Sequence, residues 1–195
     1  MSRSEQKLQT RQRILDAAGR GFRKGGFGGI GVDGLAKEAG VTSGAFYVHF
    51  DSKAAAFRAS VAQGMADLKD GVRHCQTQYG RTWWAEFVRF YLGAKRTCEL
   101  PESCALQSLA SEVARSDAPS RAAFEAELRD VAAIVAAGPP SDDAPPDVDA
   151  AWAAMATLVG AVTFARAVND PAMAERIAAA AERVLLPTHY RSLET

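Results

Sequence analysis

The sequence predicts an all-α protein. Apolar residues recur every three to four positions in almost every segment, and alternation with period two is absent. Turn and cap signals divide this periodicity into nine helices. The first spans about residues 5–24, with Leu8, Ile14, Ala17, Ala18, Gly21 and Phe22 on one face, and Gly25-Gly26 ends it. Short helices follow at about 32–39 and 43–49. A long one starts at Lys53, capped by Asp51 or Ser52, and reaches about residue 75. Three more lie near 82–97, 101–115 and 120–137, and Pro101 suits a first helical turn, where its missing N–H costs nothing. Residues 138–147 hold four prolines, which excludes a helix interior and predicts an exposed, mobile loop. Helices at about 148–168 and 172–186 complete the set, with Asn169-Asp170-Pro171 turning the chain between them.

With 195 residues and 48% hydrophobic content, the chain can bury one core or two small ones. Net charge is zero, but it is unevenly spread. Residues 1–58 hold ten Lys/Arg against five Asp/Glu, so a head of charge +5 precedes a body of −5. A basic head on an acidic body implies that only the head meets a polyanion. Cys75, Cys98 and Cys104 form an odd set without a CxxC pair, the usage of a reduced intracellular chain. The N-terminus lacks the apolar core of a signal peptide, and Arg166 interrupts the most apolar run, residues 150–167. The expectation is a soluble, cytoplasmic protein with no membrane partner.

The informative segment is residues 31–50. Two short helices joined by a tight turn must cross steeply. Ala36 is small where they touch, and Gly40 supplies the positive φ that ends the first. Leu35, Ala39, Val41, Phe46 and Phe50 are spaced to share one core. This is the helix-turn-helix pattern, whose second helix enters the DNA major groove. On a helical wheel Phe46 and Phe50 share the inner face. Gly44, Ala45 and Val48 fall outside, flanked by Tyr47 and His49. That outer face is bare: it offers close approach and thymine-methyl contact rather than bidentate hydrogen bonds. Gly31 at the start of the first of these helices and Gly34 inside it weaken it, by about 1 kcal/mol for an interior glycine.

Beyond the generic motif, three runs are distinctive. They are Arg11-x2-Ile14-Leu15-x-Ala17-Ala18-x2-Gly21-Phe22, Gly25-x-Phe27, and Leu35-Ala36-x2-Ala39-Gly40-Val41-Thr42-x-Gly44-x-Phe46-Tyr47-x-His49-Phe50-x2-Lys53. Together they resemble the N-terminal domain of the TetR family over about residues 8–68. The resemblance implies a nine-helix architecture with a DNA-binding domain at 8–68 and a ligand-binding and dimerisation domain at 69–195. It places Thr42, Ser43, Gly44, Ala45, Tyr47, Val48 and His49 at double-stranded operator DNA and Lys53 at a phosphate. It also implies a homodimeric repressor of a palindromic operator, released by a small-molecule inducer.

In the body, aromatic and apolar residues are expected to be core. The resemblance adds an apolar cavity for an apolar or aromatic inducer, with Trp83, Phe87, Tyr91, Gln107, Ser111, Trp152, Met155 and Thr163 as candidate lining. Adjacent Trp83 and Trp84 are not expected both to be fully buried. The last two helices are rich in small residues, and Ala156, Gly160, Ala161 and Ala178 are candidates for the dimer interface. Cys104, read as lying in a first helical turn, is a candidate redox or electrophile sensor through stabilisation of its thiolate, with Cys98 as a possible resolving partner.

An enzyme is disfavoured. No Ser-His-Asp arrangement, metal-ligand spacing or glycine-rich phosphate loop is present, and besides His49 the histidines are the isolated His74 and His189. No cofactor or metal is expected. A DNA-binding activator or ligand-independent regulator would share the head without needing a cavity.

Overall fold

A computed structural model describes residues 2–188; His189 and the tail beyond it lie outside the described residues. Within them are ten α-helices and no strand. They are α1 (Arg3–Gly25), α2 (Val32–Glu38), α3 (Ser43–His49), α4 (Lys53–Tyr79), α5 (Trp83–Leu92), α6 (Ala94–Thr97), α7 (Ala105–Ala114), α8 (Ala118–Ala136), α9 (Val148–Ala167) and α10 (Pro171–Leu185). Single 3₁₀ turns occupy Gly80–Thr82 and Leu100–Glu102. The tenth helix arises because the segment read as 82–97 breaks at Gly93, whose ψ of −92° leaves the helical region.

The chain forms two compact units, and neither is contiguous. One comprises residues up to 65 together with 99–126; the other comprises 66–98 and 127 onward. Helices α4 and α8 therefore each contribute to both units.

In the first unit, α1 buries Ile14, Leu15, Ala17, Ala18 and Phe22, while Leu8 stays 65% exposed because the first turns of α1 run beyond this core. The rings of Phe22, Phe27 and Phe57 meet at centroid distances of 5.2–5.9 Å. Residues 99–126 are tied into the unit by polar contacts. Arg23 Nε donates to the Pro101 carbonyl at 2.6 Å, the Phe27 amide donates to Glu112 Oε2 at 3.2 Å, and Arg58 pairs with Asp117 at 3.1 Å.

Pro101 sits in the 3₁₀ turn instead of opening a helix. Helix α7 starts at Ala105, with Cys104 as its extended N-cap residue. The half-buried Cys104 thus precedes the first turn in which the sequence placed it.

In the second unit, α5 packs against α9 and α10. Trp83 and Trp84 are both fully buried, contrary to the sequence expectation. Each indole finds its own backbone acceptor: Trp83 Nε1 donates to the Pro139 carbonyl at 3.0 Å and Trp84 Nε1 to the Leu185 carbonyl at 3.2 Å. Their rings meet edge-on at 5.5 Å.

The proline-rich segment is correspondingly anchored. Trp83 holds Pro139, Pro145 is buried, and Asp143, in the left-handed region at φ 61°, accepts the Thr188 amide on both carboxylate oxygens at 3.1 Å. Helix α9, which contains the apolar run that Arg166 interrupts, is by length and composition apolar enough to span a membrane, with a mean hydropathy of 1.5 over an 18-residue window. Here it packs against α5, α6 and α10.

Candidate nucleic-acid interface

Helices α2 and α3 and the turn between them form the predicted corner. Gly40, at φ 67°, lets the chain leave α2, and the Val41 amide returns to the Ala36 carbonyl at 2.9 Å. The turn is held from outside by α1, because Arg13 donates to the carbonyls of Ala39 and Gly40 at 2.7–3.1 Å. Helix α2 has no side-chain cap at Gly31, as expected. Gly34 has a packing reason: a Cβ there would stand 2.9 Å from Ile30 Cγ1.

Helix α3 begins at a capped end, since the Ala45 amide donates to Thr42 Oγ1 at 3.1 Å. Such a cap stabilises by about 1 kcal/mol. Phe46 is fully buried and Phe50 nearly so, which fixes the rotation of the helix. Tyr47 and Val48 are 54% and 67% exposed, Gly44 and Thr42 are exposed, and Ser43, Ala45 and His49 are half-buried. The wheel of the sequence is therefore the observed one. Ser43 Oγ donates to Asp33 Oδ1 at 2.5 Å, joining the first turn of α2 to the first residue of α3.

The surroundings of α3 are cationic. Arg11 stacks its guanidinium 4.8 Å from the Phe50 ring, and Lys53 places Nζ 4.5 Å from the Phe27 ring at the start of α4. Helix α4 is capped by Ser52, whose Oγ accepts the Ala55 amide at 3.0 Å. Burial, Lys7 and Arg11 together hold the His49 imidazole below its ordinary pKa, and its Nδ1 is buried without a hydrogen-bond partner among the described residues.

Sequence reasoning assigned no site role to Arg13, Asp33, Lys7 or Arg11, although Arg11 opens the first of the distinctive runs. The basic excess of the head counted three of them, but only a folded turn shows that Arg13 serves backbone carbonyls while Lys7 and Arg11 face His49.

The other candidates are placed as follows. Trp83, Phe87, Tyr91 and Met155 are buried in the second unit and Trp152 is half-buried there. Gln107 and Ser111 lie on α7, in the first unit, half-buried and exposed respectively. Thr163 is exposed, and its hydroxyl donates to the Val159 carbonyl of its own helix at 2.7 Å.

Helix α9 packs on α10, and Ala161 and Ala178 are buried within the chain rather than facing outward. Ala156 is exposed, and among the described residues nothing lies within 4 Å of a Cβ built at Gly160. The outward face of this pair also carries Phe164, Met173 and Val184, which are 65%, 49% and 69% exposed. Small-residue content in the sequence does not point to these larger side chains. An open groove runs along α10 between Met173, Ile177, Ala180 and Arg183.

The sequence model of bacterial regulatory proteins of the tetR family matches residues 14–59, which contain the whole α2–α3 corner. Solved structures share the fold over nearly the full chain. A TetR-family transcriptional regulator from Agrobacterium tumefaciens superposes with a TM-score of 0.72 at 20% identity, covering 91% of this chain and 97% of its own. The reduced form of NemR from E. coli gives 0.71 at 19% identity, covering 90% and 94%. A TetR-family regulator from Cytophaga hutchinsonii gives 0.71 at 18% identity, covering 95% and 96%. No curated protein matches the sequence.

Proposed function

We propose that the chain, whose residues 14–59 match the sequence model of the tetR family of bacterial regulatory proteins, is a DNA-binding regulator of transcription of that family: a homodimeric, cytoplasmic repressor released from a palindromic operator by a small molecule. The observation that carries the DNA-binding part is the outward face of α3. Tyr47 and Val48 are largely exposed on a helix whose rotation is fixed by buried Phe46 and Phe50. A bare helix face flanked by cations is what a major groove admits: Gly44, Ala45 and Val48 permit close approach, and Lys53 and Arg11 supply charge for phosphates.

Dimerisation is assigned to the outward face of α9 and α10. Phe164, Met173 and Val184 leave apolar area in water that a second copy would cover. Ala156 and Gly160 lie on that face as its close-approach positions.

The inducer is apolar or aromatic and enters the second unit beside Phe87, Tyr91 and Met155. It releases DNA to the extent that it binds the DNA-incompetent arrangement more tightly. The test is operator release. A duplex from beside the chain's own gene should bind in the nanomolar range, and one member of a panel of apolar and aromatic compounds should weaken that binding at least tenfold. Tight binding unmoved by every compound would leave a ligand-independent regulator.

A further inference from the structure

We propose that Asp33 fixes Ser43 as a hydrogen-bond acceptor in the major groove. The operator then carries an exocyclic amine, adenine N6 or cytosine N4, at the base Ser43 faces. The inference rests on the DNA-binding reading above and deepens it to a rule for one base position.

Ser43 is the first residue of α3, and the N-terminal residues of a recognition helix are those that reach base edges. A serine hydroxyl is ordinarily ambiguous, because it rotates to donate or accept and so tolerates any base. Here its proton is committed. Ser43 Oγ lies 2.5 Å from Asp33 Oδ1, and a carboxylate only accepts. Such a charge-assisted bond is about twice as strong as a neutral one.

What Ser43 has left to offer DNA is lone pairs. Those pair with the amine of adenine or cytosine and oppose the acceptor edge of guanine N7 and O6 or thymine O4. The charge of Asp33 beside it adds to the rejection of those acceptors, so an unfavourable contact contributes to specificity. In the first turn of the helix little competes for this role, and Tyr47 and His49 lie a turn further on. Gly44, Ala45 and Val48 carry no side-chain donor or acceptor, and Thr42 Oγ1 is engaged by the Ala45 amide.

The experiment is selection from a random duplex library, followed by anisotropy titrations, with wild type, Asp33→Ala and Ser43→Ala. Wild type should show one position in each half-site where adenine or cytosine is preferred over guanine by about tenfold. Asp33→Ala should reduce that preference to about twofold at the same position while the rest of the motif persists. Ser43→Ala should lose the preference there as well. An Asp33→Ala protein that binds all sequences more tightly but keeps the preference overturns the inference, since Asp33 would then act only as a charge. So does a Ser43→Ala protein with an unchanged motif. A wild type that selects no motif overturns the DNA-binding reading itself, and this inference with it.

Discussion

The guanidinium of Arg13, on α1, holds the backbone carbonyl of Ala39, at the end of α2, with two N–H donors at 3.1 and 2.7 Å. Its Nη2 also donates to the Gly40 carbonyl at 2.9 Å. One side chain thus satisfies carbonyls that the end of α2 and a left-handed glycine leave without helical partners.

Arg13→Ala should therefore loosen the corner without touching its core. Hydrogen bonds from a charged donor are worth about 1.5–3 kcal/mol, and partial exposure reduces this to an expected loss of about 1–2 kcal/mol. Chemical denaturation measures it. Arg13→Lys should recover less than half, because a single ammonium cannot reproduce the fork.

His49 gives a pH dependence with two opposite signs. Burial first, then Lys7 and Arg11, depress its pKa in the folded chain below the ordinary 6.5. The unfolded chain therefore binds the proton more readily. The stability associated with neutral His49 is fully present above pH 6.5 and is lost as pH falls through the depressed folded value. DNA binding should run the other way. A phosphate near His49 favours the imidazolium, so operator affinity should rise as pH falls from 8 toward 6. Denaturation and anisotropy at pH 6 and 8 read both slopes, and His49→Gln should flatten them.

Gly160→Trp should separate subunits without unfolding them. Among the described residues nothing lies within 4 Å of a Cβ at this position, so the side chain leaves the helix into open space that a second copy would fill. Light scattering should show a folded monomer with unchanged circular dichroism and weakened operator binding. A dimer of wild-type mass would contradict the assigned interface.

The head was legible because its determinants are local. Gly40, Phe46 and Phe50 lie within eleven residues and fix the turn and the rotation of α3 through backbone conformation and period alone. Side-chain contacts across the closed corner were not. Arg13 reaches Ala39, and Asp33 reaches Ser43, through geometry that appears only once the corner is closed. Trp83 and Trp84 show the same limit. Their joint burial depends on carbonyls of Pro139 and Leu185, supplied 56 and 101 residues away. The interface candidates were drawn from small residues, and of these Ala161 and Ala178 are buried within the single chain.

The central claim is that two copies of α3 read one duplex. It is tested most directly by titrating a selected palindromic duplex with wild type and with Tyr47→Ala, whose side chain is 54% exposed. The expected result is two chains bound per duplex by wild type, and at least tenfold weaker binding by a Tyr47→Ala protein of unchanged melting temperature. One chain per duplex, or equal affinity for the two proteins, would contradict it.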